Sequence, residues 1–199
     1  MILDVDKAKP SDIFALEVSS FQLESTVSFK PSISAILNIT PDHLNRHKTI
    51  KNYIDAKCKV FINQDDKDYT ILNLDDLLTS KLIEMPKSKV LLFSRKQEVP
   101  QGAFLENNYI VIRVGRKKET IIHKDEIYIP GNHNLENALA AALMAYCAGV
   151  PASVIADTLK SFKGVEHRIE YVEEIDGVIY YNDSKGTNTD ASIKAVEAM

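Results

Sequence analysis

Short unbroken apolar runs alternate with amphipathic stretches along most of the chain, and turn-forming residues bound each run. Asp12–Ser19 and "ISAILNI" (33–39) are rich in branched side chains and lack in–out alternation, which predicts strands covered on both faces and so a parallel sheet. Comparable runs start at Tyr69 ("YTILNLDD") and Lys89 ("KVLLFS"), and a helix is predicted over Thr49–Phe61. The texture then changes. "NNYIVIRVGRKKETIIHKDEIYIPG" (107–131) reads as three alternating segments parted by a Gly-Arg-Lys-Lys turn and a Lys-Asp-Glu turn, a small antiparallel meander. Two helices should follow, one from about Asn134 that stops at Gly149 and one opened by Pro151, with Ile155, Leu159 and Phe162 on one side. A boundary falls near Glu170. Beyond it, "IEYVEEIDGVIYYND" predicts a hairpin turning on Asp176 and Gly177, and "TNTDASIKAVEAM" starts a helix. The expected architecture is α/β: a mostly parallel sheet flanked by helices, a small antiparallel sheet, and a second unit of one hairpin and one helix, divided as 1–169 and 170–199.

Composition narrows the functional classes. The chain has 199 residues with 45% apolar content, enough for a substantial core without staples. Its 24 basic and 28 acidic residues give a net charge of -4, and no stretch concentrates Lys and Arg as a phosphate-backbone binder would, so nucleic acid is not an expected partner. The two cysteines, Cys58 and Cys147, fit small buried hydrophobes in a reducing cytoplasm. The first residues lack a signal-peptide pattern and nowhere do 18 apolar residues run together, so a soluble cytoplasmic protein is expected, not a membrane one.

Three residues stand out chemically. Glu17 interrupts the first apolar run, and a buried carboxylate must be paired, protonated or metal-bound because an isolated one costs several kcal/mol. Ligand crevices of parallel α/β sheets open at the carboxyl ends of the strands, where Glu17 and, after the second strand, His43 would both arrive. An edge strand with Glu17 in solvent is the plain alternative. On the following helix, Ile50, Tyr53, Ile54 and Phe61 share one stripe at about 100° per residue, and Lys57 lands in its middle. It either snorkels out or is held neutral by desolvation, in which case a carbamate formed with carbon dioxide would turn it into an oxygen ligand for a hard cation.

The remaining candidates are weaker singly. Asn134 and Asn137 share a face at a helix start, where amides could cap the helix or read a base. Arg168 beside the boundary could meet a phosphate or make an ordinary salt bridge. "YYNDSKGTN" passes from strand to helix through a turn that suits anions. The seven glycines, at 102, 115, 131, 149, 164, 177 and 186, are too far apart for either G-x-G-x-x-G or a G-x-x-x-x-G-K-[ST] phosphate loop, so a phosphate loop, if used, lies elsewhere.

Taken in order, "ALEVSSFQLE", "ILNITPDHLNRH", "YIDAKCKVF", "GNHNLENALAAA", "GVEHRIE" and "YYNDSKGTN" resemble successive motifs of the Mur ligases of peptidoglycan synthesis, over nearly the whole chain. "NDSKGTN" resembles the branch that joins D-glutamate to UDP-N-acetylmuramoyl-L-alanine; other branches and the folylpolyglutamate synthetases resemble the central stretches but differ at that turn. The resemblance implies a central ATPase-like domain and the opening of a Rossmann-like C-terminal domain. It also implies ATP and two Mg²⁺ ions, one held with Glu17 and one with His43 and a carbamylated Lys57. It places Asn134 and Asn137 at adenine, Asp183 at ribose and Arg168 at the phosphates. Ser19, Gln22, Lys185 and Thr187 would face the substrates, Lys185 also the acyl phosphate. The family's uridine-nucleotide domain and phosphate loop should precede Glu17 by far more than sixteen residues, so the expectation is an excised piece of a monomeric enzyme, inactive alone. Two rival readings are a metal-dependent hydrolase built on His43, His47 and Asp42, and a non-catalytic interaction module.

Overall fold

The structure, a computed structural model, describes residues 7–9, 11–187 and 189–198. Its elements in chain order are α1 (Ser20–Glu24), β1 (Ile33–Ile36), α2 (Leu44–His47), α3 (Ile50–Cys58), β2 (Tyr69–Asn73), β3 (Lys89–Ser94), β4 (Gly102–Glu106), β5 (Tyr109–Val114), β6 (Lys117–His123), α4 (Asn132–Cys147), α5 (Ala152–Ser161), β7 (Glu170–Ile175), β8 (Val178–Asn182) and α6 (Thr189–Glu197). Strands β1 to β6 form one sheet in sequence order, parallel from β1 through β4 and antiparallel from β4 through β6. Strands β7 and β8 form a separate antiparallel pair.

Side-chain alternation divides the sheet's two faces. Ile71 of β2 joins Phe93, Ile110 and Ile112 under Leu139 and Leu143 of α4 and Ile155 and Leu159 of α5. Its neighbour Leu72 points the other way, into a cluster with Ile36, Tyr53, Phe61 and Leu82. Fully burying each such side chain contributes about 1.5–3 kcal/mol, so the two-sided cover accounts for the unbroken apolar character of β2 and β3. Helix α4 ends on a Schellman motif: the Val150 amide donates to the Ala145 carbonyl at 3.0 Å and the Gly149 amide to Tyr146 at 3.0 Å. Polar groups inside are matched. Gln64 Oε1 accepts from the hydroxyls of Thr70 (2.6 Å), Ser34 (3.0 Å) and Ser88 (3.2 Å), while Nε2 donates to the carbonyls of Pro31 and Tyr69.

Two expectations need correction. Asp12–Ser19 forms no strand; Ile13 is 69% exposed, and Phe14 and Leu16 are exposed as well. A strand exists only with a ladder partner, and none of the described residues pairs with this stretch. The meander is real but shifted: its strands are β4, β5 and β6, and it continues the main sheet through a parallel β3–β4 pairing. The signals passed over were the Asn107–Asn108 turn, with φ of 49° and 65°, and Gly102, where a Cβ would sit 1.7 Å from the Leu92 carbonyl oxygen. Lys124–Glu126 is a 3₁₀ turn, and "IYIP" after it is not a strand.

Candidate active site at the ends of the parallel strands

The carboxyl ends of β1, β2 and β3 are drawn together by polar side chains. The Asn73 amide donates to the Leu37 carbonyl at 2.9 Å, and Asp75 accepts from the Ser94 hydroxyl at 2.6 Å and the Arg95 amide at 2.7 Å. Arg95 Nε then reaches Glu136 at 3.2 Å, which brings the start of α4 to the same rim.

Beyond β1 the chain turns at Asp42 and His43. His43 takes a left-handed backbone (φ 55°), and its amide donates to Asp42 Oδ1 at 2.7 Å. Asp42 Oδ1 lies 3.5 Å from His43 Nδ1. From α3, Lys57 Nζ sits 5.2 Å from the centroid of the Tyr53 ring. Lys57 is half-buried, and burial holds its ammonium below the ordinary lysine pKa, with the Asp42 carboxylate opposing. The Tyr53 phenol is pushed up by burial and then by the same Asp42. Asp42, His43, Tyr53 and Lys57 thus form one neighbourhood.

Glu17 does not join it. The residue is exposed and makes no hydrogen bond or ion pair among the described residues. Ser19 and Gln22 are engaged with each other: the Ser19 amide donates to Gln22 Oε1 at 2.9 Å and the Gln22 amide to Ser19 Oγ at 3.3 Å, a capping box that starts α1. Among the described residues, no group of three or more His, Cys, Asp and Glu side chains is close enough to hold a metal ion. The chemistry of the donors sharpens this. As an amine Lys57 supplies no oxygen, so Asp42, His43 and Lys57 fit a hard cation only if Lys57 carries a carbamate.

Only the rival hydrolase reading paired His47 with His43 at a metal, and sequence reasoning passed over Ser20, Phe21 and Glu24. His47 is buried, with Nε2 at 3.0 Å from Ser20 Oγ and Nδ1 at 3.1 Å from Glu24 Oε1, so both its nitrogens are used within the protein. That arrangement removes the basis of a zinc site shared by His43 and His47. The signal for it was an apolar face on "SFQLE" ending in a carboxylate.

A second group gathers at the open end of the β7–β8 hairpin. The Lys185 amide donates to the His167 carbonyl at 3.0 Å, the Ile169 amide to Asp183 Oδ1 at 3.2 Å, and Asn182 Nδ2 reaches Glu170 Oε2 at 3.1 Å. These bonds hold Ile169 at a φ of 47°, a rare conformation for a β-branched residue. The side chains of Arg168, Lys185 and Thr187 are exposed. Asn134 Nδ2 donates to the Pro130 carbonyl at 2.6 Å, while Asn137 is exposed. Between these parts His133 is held below the ordinary histidine pKa, chiefly by burial and then by Lys194, against Glu136, Asp183 and Glu197. A cleft of about 430 Å³, lined by Lys124, Ile127, Gly131, Leu135 and Glu197, runs beside the start of α4. Residue 188, inside the "NDSKGTN" turn, lies outside the described residues.

The Mur ligase middle domain profile matches residues 1–145. The chain belongs to the Mur ligase family. Its likeness to UDP-N-acetylmuramoylalanine--D-glutamate ligases is high: 56% identity over 199 residues with that of Thermoanaerobacter sp. (strain X514), covering 100% of this chain and 44% of the relative. Identity is 47% over 194 residues with that of Clostridioides difficile (strain 630), covering 98% and 43%. The chain therefore spans less than half the length of the curated relatives it matches. Among solved structures, MurF from Acinetobacter baumannii superposes with a TM-score of 0.67 at 18% identity, over 85% of this chain and 37% of that one. MurF ligase from Thermotoga maritima in complex with ADP gives 0.62 at 16%, over 85% and 39%. Those two likenesses establish the Mur ligase fold. No helix among the described residues is long and apolar enough to cross a membrane.

Proposed function

We propose that this Mur ligase chain forms the nucleotide- and metal-binding part of a cytoplasmic, monomeric enzyme that adds D-glutamate to UDP-N-acetylmuramoyl-L-alanine at the expense of ATP. The observation that carries the reading is 56% identity, over the whole chain, to a ligase named for that substrate and amino acid. In the proposed reaction the muramoyl-alanine carboxylate attacks the γ-phosphorus and releases ADP. The amine of D-glutamate then attacks the acyl phosphate carbon, expels inorganic phosphate and loses a proton as the amide forms. Residues 1–169 would be the central domain and 170–199 the opening of the C-terminal one.

Lys57 supports the chemistry. Burial favours its neutral amine, and a neutral amine adds carbon dioxide to give a carbamate and one proton, reversing the side chain's charge beside His43. Glu17, His43 and carbamylated Lys57 would then hold Mg²⁺, which when bound stabilises charge developing on phosphoryl oxygens. For Glu17 this requires the 12–19 stretch to draw in toward the rim. Asn134 and Asn137 would meet adenine at the α4 start, Asp183 the ribose and Arg168 the phosphates. Ser19, Gln22, Lys185 and Thr187 would face the acceptor and the incoming amino acid, with Lys185 at the acyl phosphate.

The test replaces the matching stretch of the Thermoanaerobacter ligase with residues 1–199. Phosphate release that needs both UDP-N-acetylmuramoyl-L-alanine and D-glutamate is expected, and Lys57→Ala should lower it by roughly a hundredfold or more. A folded chimera that accepts a different amino acid in place of D-glutamate, or that ignores Lys57→Ala, would defeat the reading.

A further inference from the structure

We propose that His47 is a positioning residue that seats His43 and Lys57 at the rim of the sheet, an inference that rests on the role given to those two residues above. Its imidazole meets the two aromatic rings against which those residues lie. One face stacks on Phe21, with centroids 5.5 Å apart and planes 8° apart, and the Phe21 ring in turn lies 4.8 Å from His43. The His47 ring also meets Tyr53, centroids 5.2 Å apart, and Tyr53 is the ring beneath Lys57 Nζ. The His47 carbonyl accepts from Asn52 Nδ2 at 2.9 Å, which ties α2 to the first turn of α3.

Hydrogen bonds fix the plane of this wedge. An ionised Glu24 can only accept, so His47 Nδ1 carries the proton toward Oε1, and Nε2 accepts from the Ser20 hydroxyl in the neutral ring. The order hydroxyl, imidazole, carboxylate is that of a nucleophile, its base and an orienting group. Ser20, however, is only 4% exposed and opens α1, so its oxygen is closed to a substrate. The chain of bonds therefore orients a ring instead of activating an attack. Two aromatic rings, each seating one proposed ligand, take their places from it.

The test uses the intact 199-residue chain and two substitutions. His47→Phe keeps an apolar ring and removes both bonds; Ser20→Ala keeps the imidazole and removes one. Circular dichroism and thermal melting establish that each variant is folded. Lys57 is then followed by its acylation rate with acetic anhydride, read by mass spectrometry, and by the ¹³C signal of a carbamate after incubation with labelled bicarbonate. The expected result is acylation of Lys57 at a rate approaching that of exposed Lys51, and a carbamate signal about tenfold weaker, the scale typical of lost outer-sphere support. Folded variants that label Lys57 at the wild-type rate would overturn the proposal. Should the wild-type chain form no carbamate, the modification at Lys57 falls, yet the change in acylation rate still decides what His47 does.

Discussion

Strands β2 and β3 and the hairpin β7–β8 are built from the same kinds of residue, yet their fates differ. In the sheet, Ile71 and Phe93 are almost wholly buried, while in the hairpin Val178 is 54% exposed and Ile179 and Tyr180 about half. Ladder pairing is present in both. The difference is cover: α4 and α5 close one face of the sheet and α3 the other, and the hairpin has no comparable layer among the described residues. Branched and aromatic residues write a strand; a packed second layer makes it a core.

Substitutions sharpen the contrast. Phe93→Ala should cost about 3–5 kcal/mol, read as a lower urea midpoint, because the cavity opens between the sheet and α4. Next comes Gln64→Leu, which strips the shared acceptor from Ser34, Thr70 and Ser88 and should cost about 1–3 kcal/mol by the same measurement. Lys57→Met should have a smaller effect whose sign depends on pH. Because burial lowers the folded-state pKa of Lys57 below its unfolded value, the unfolded chain binds more protons between the two, and stability rises with pH across that window up to about 10.5. The variant should therefore gain most over the wild type below the window and least above it, as denaturation midpoints across pH would reveal. Smallest of all, Val178→Ala should stay within about 0.5 kcal/mol. A loss near that of Phe93→Ala would mean that the hairpin is covered after all.

The site repeats the lesson at the level of single residues. Lys57 was legible because a cation in the middle of an apolar stripe contradicts its surroundings, and the structure places it half-buried near Asp42. His43 was legible as an imidazole in the polar loop that follows a strand end. His47, Phe21 and Tyr53 were not, since their spacing along the chain is that of ordinary core and loop residues, and only packing brings α1, α2 and α3 together. Ser19 and Gln22 carried a pattern that fits substrate contact and helix capping equally, and the hydrogen bonds found belong to capping. The Asp176–Gly177 hairpin and the Gly149 helix stop were read correctly because each is a local backbone demand that a dipeptide or a single glycine announces.

What the amino-acid order determined alone is therefore local: where strands and helices run, where they turn, and which side chains disagree with their neighbours. Tertiary structure decided the rest. It joined the meander to the parallel strands through Gly102, left Asp12–Ser19 without a ladder, and turned His47 inward between two aromatic rings. Periodicity reports only the face a residue occupies on its own element. Which face meets which depends on partners distant in sequence, and that information lies in the packing.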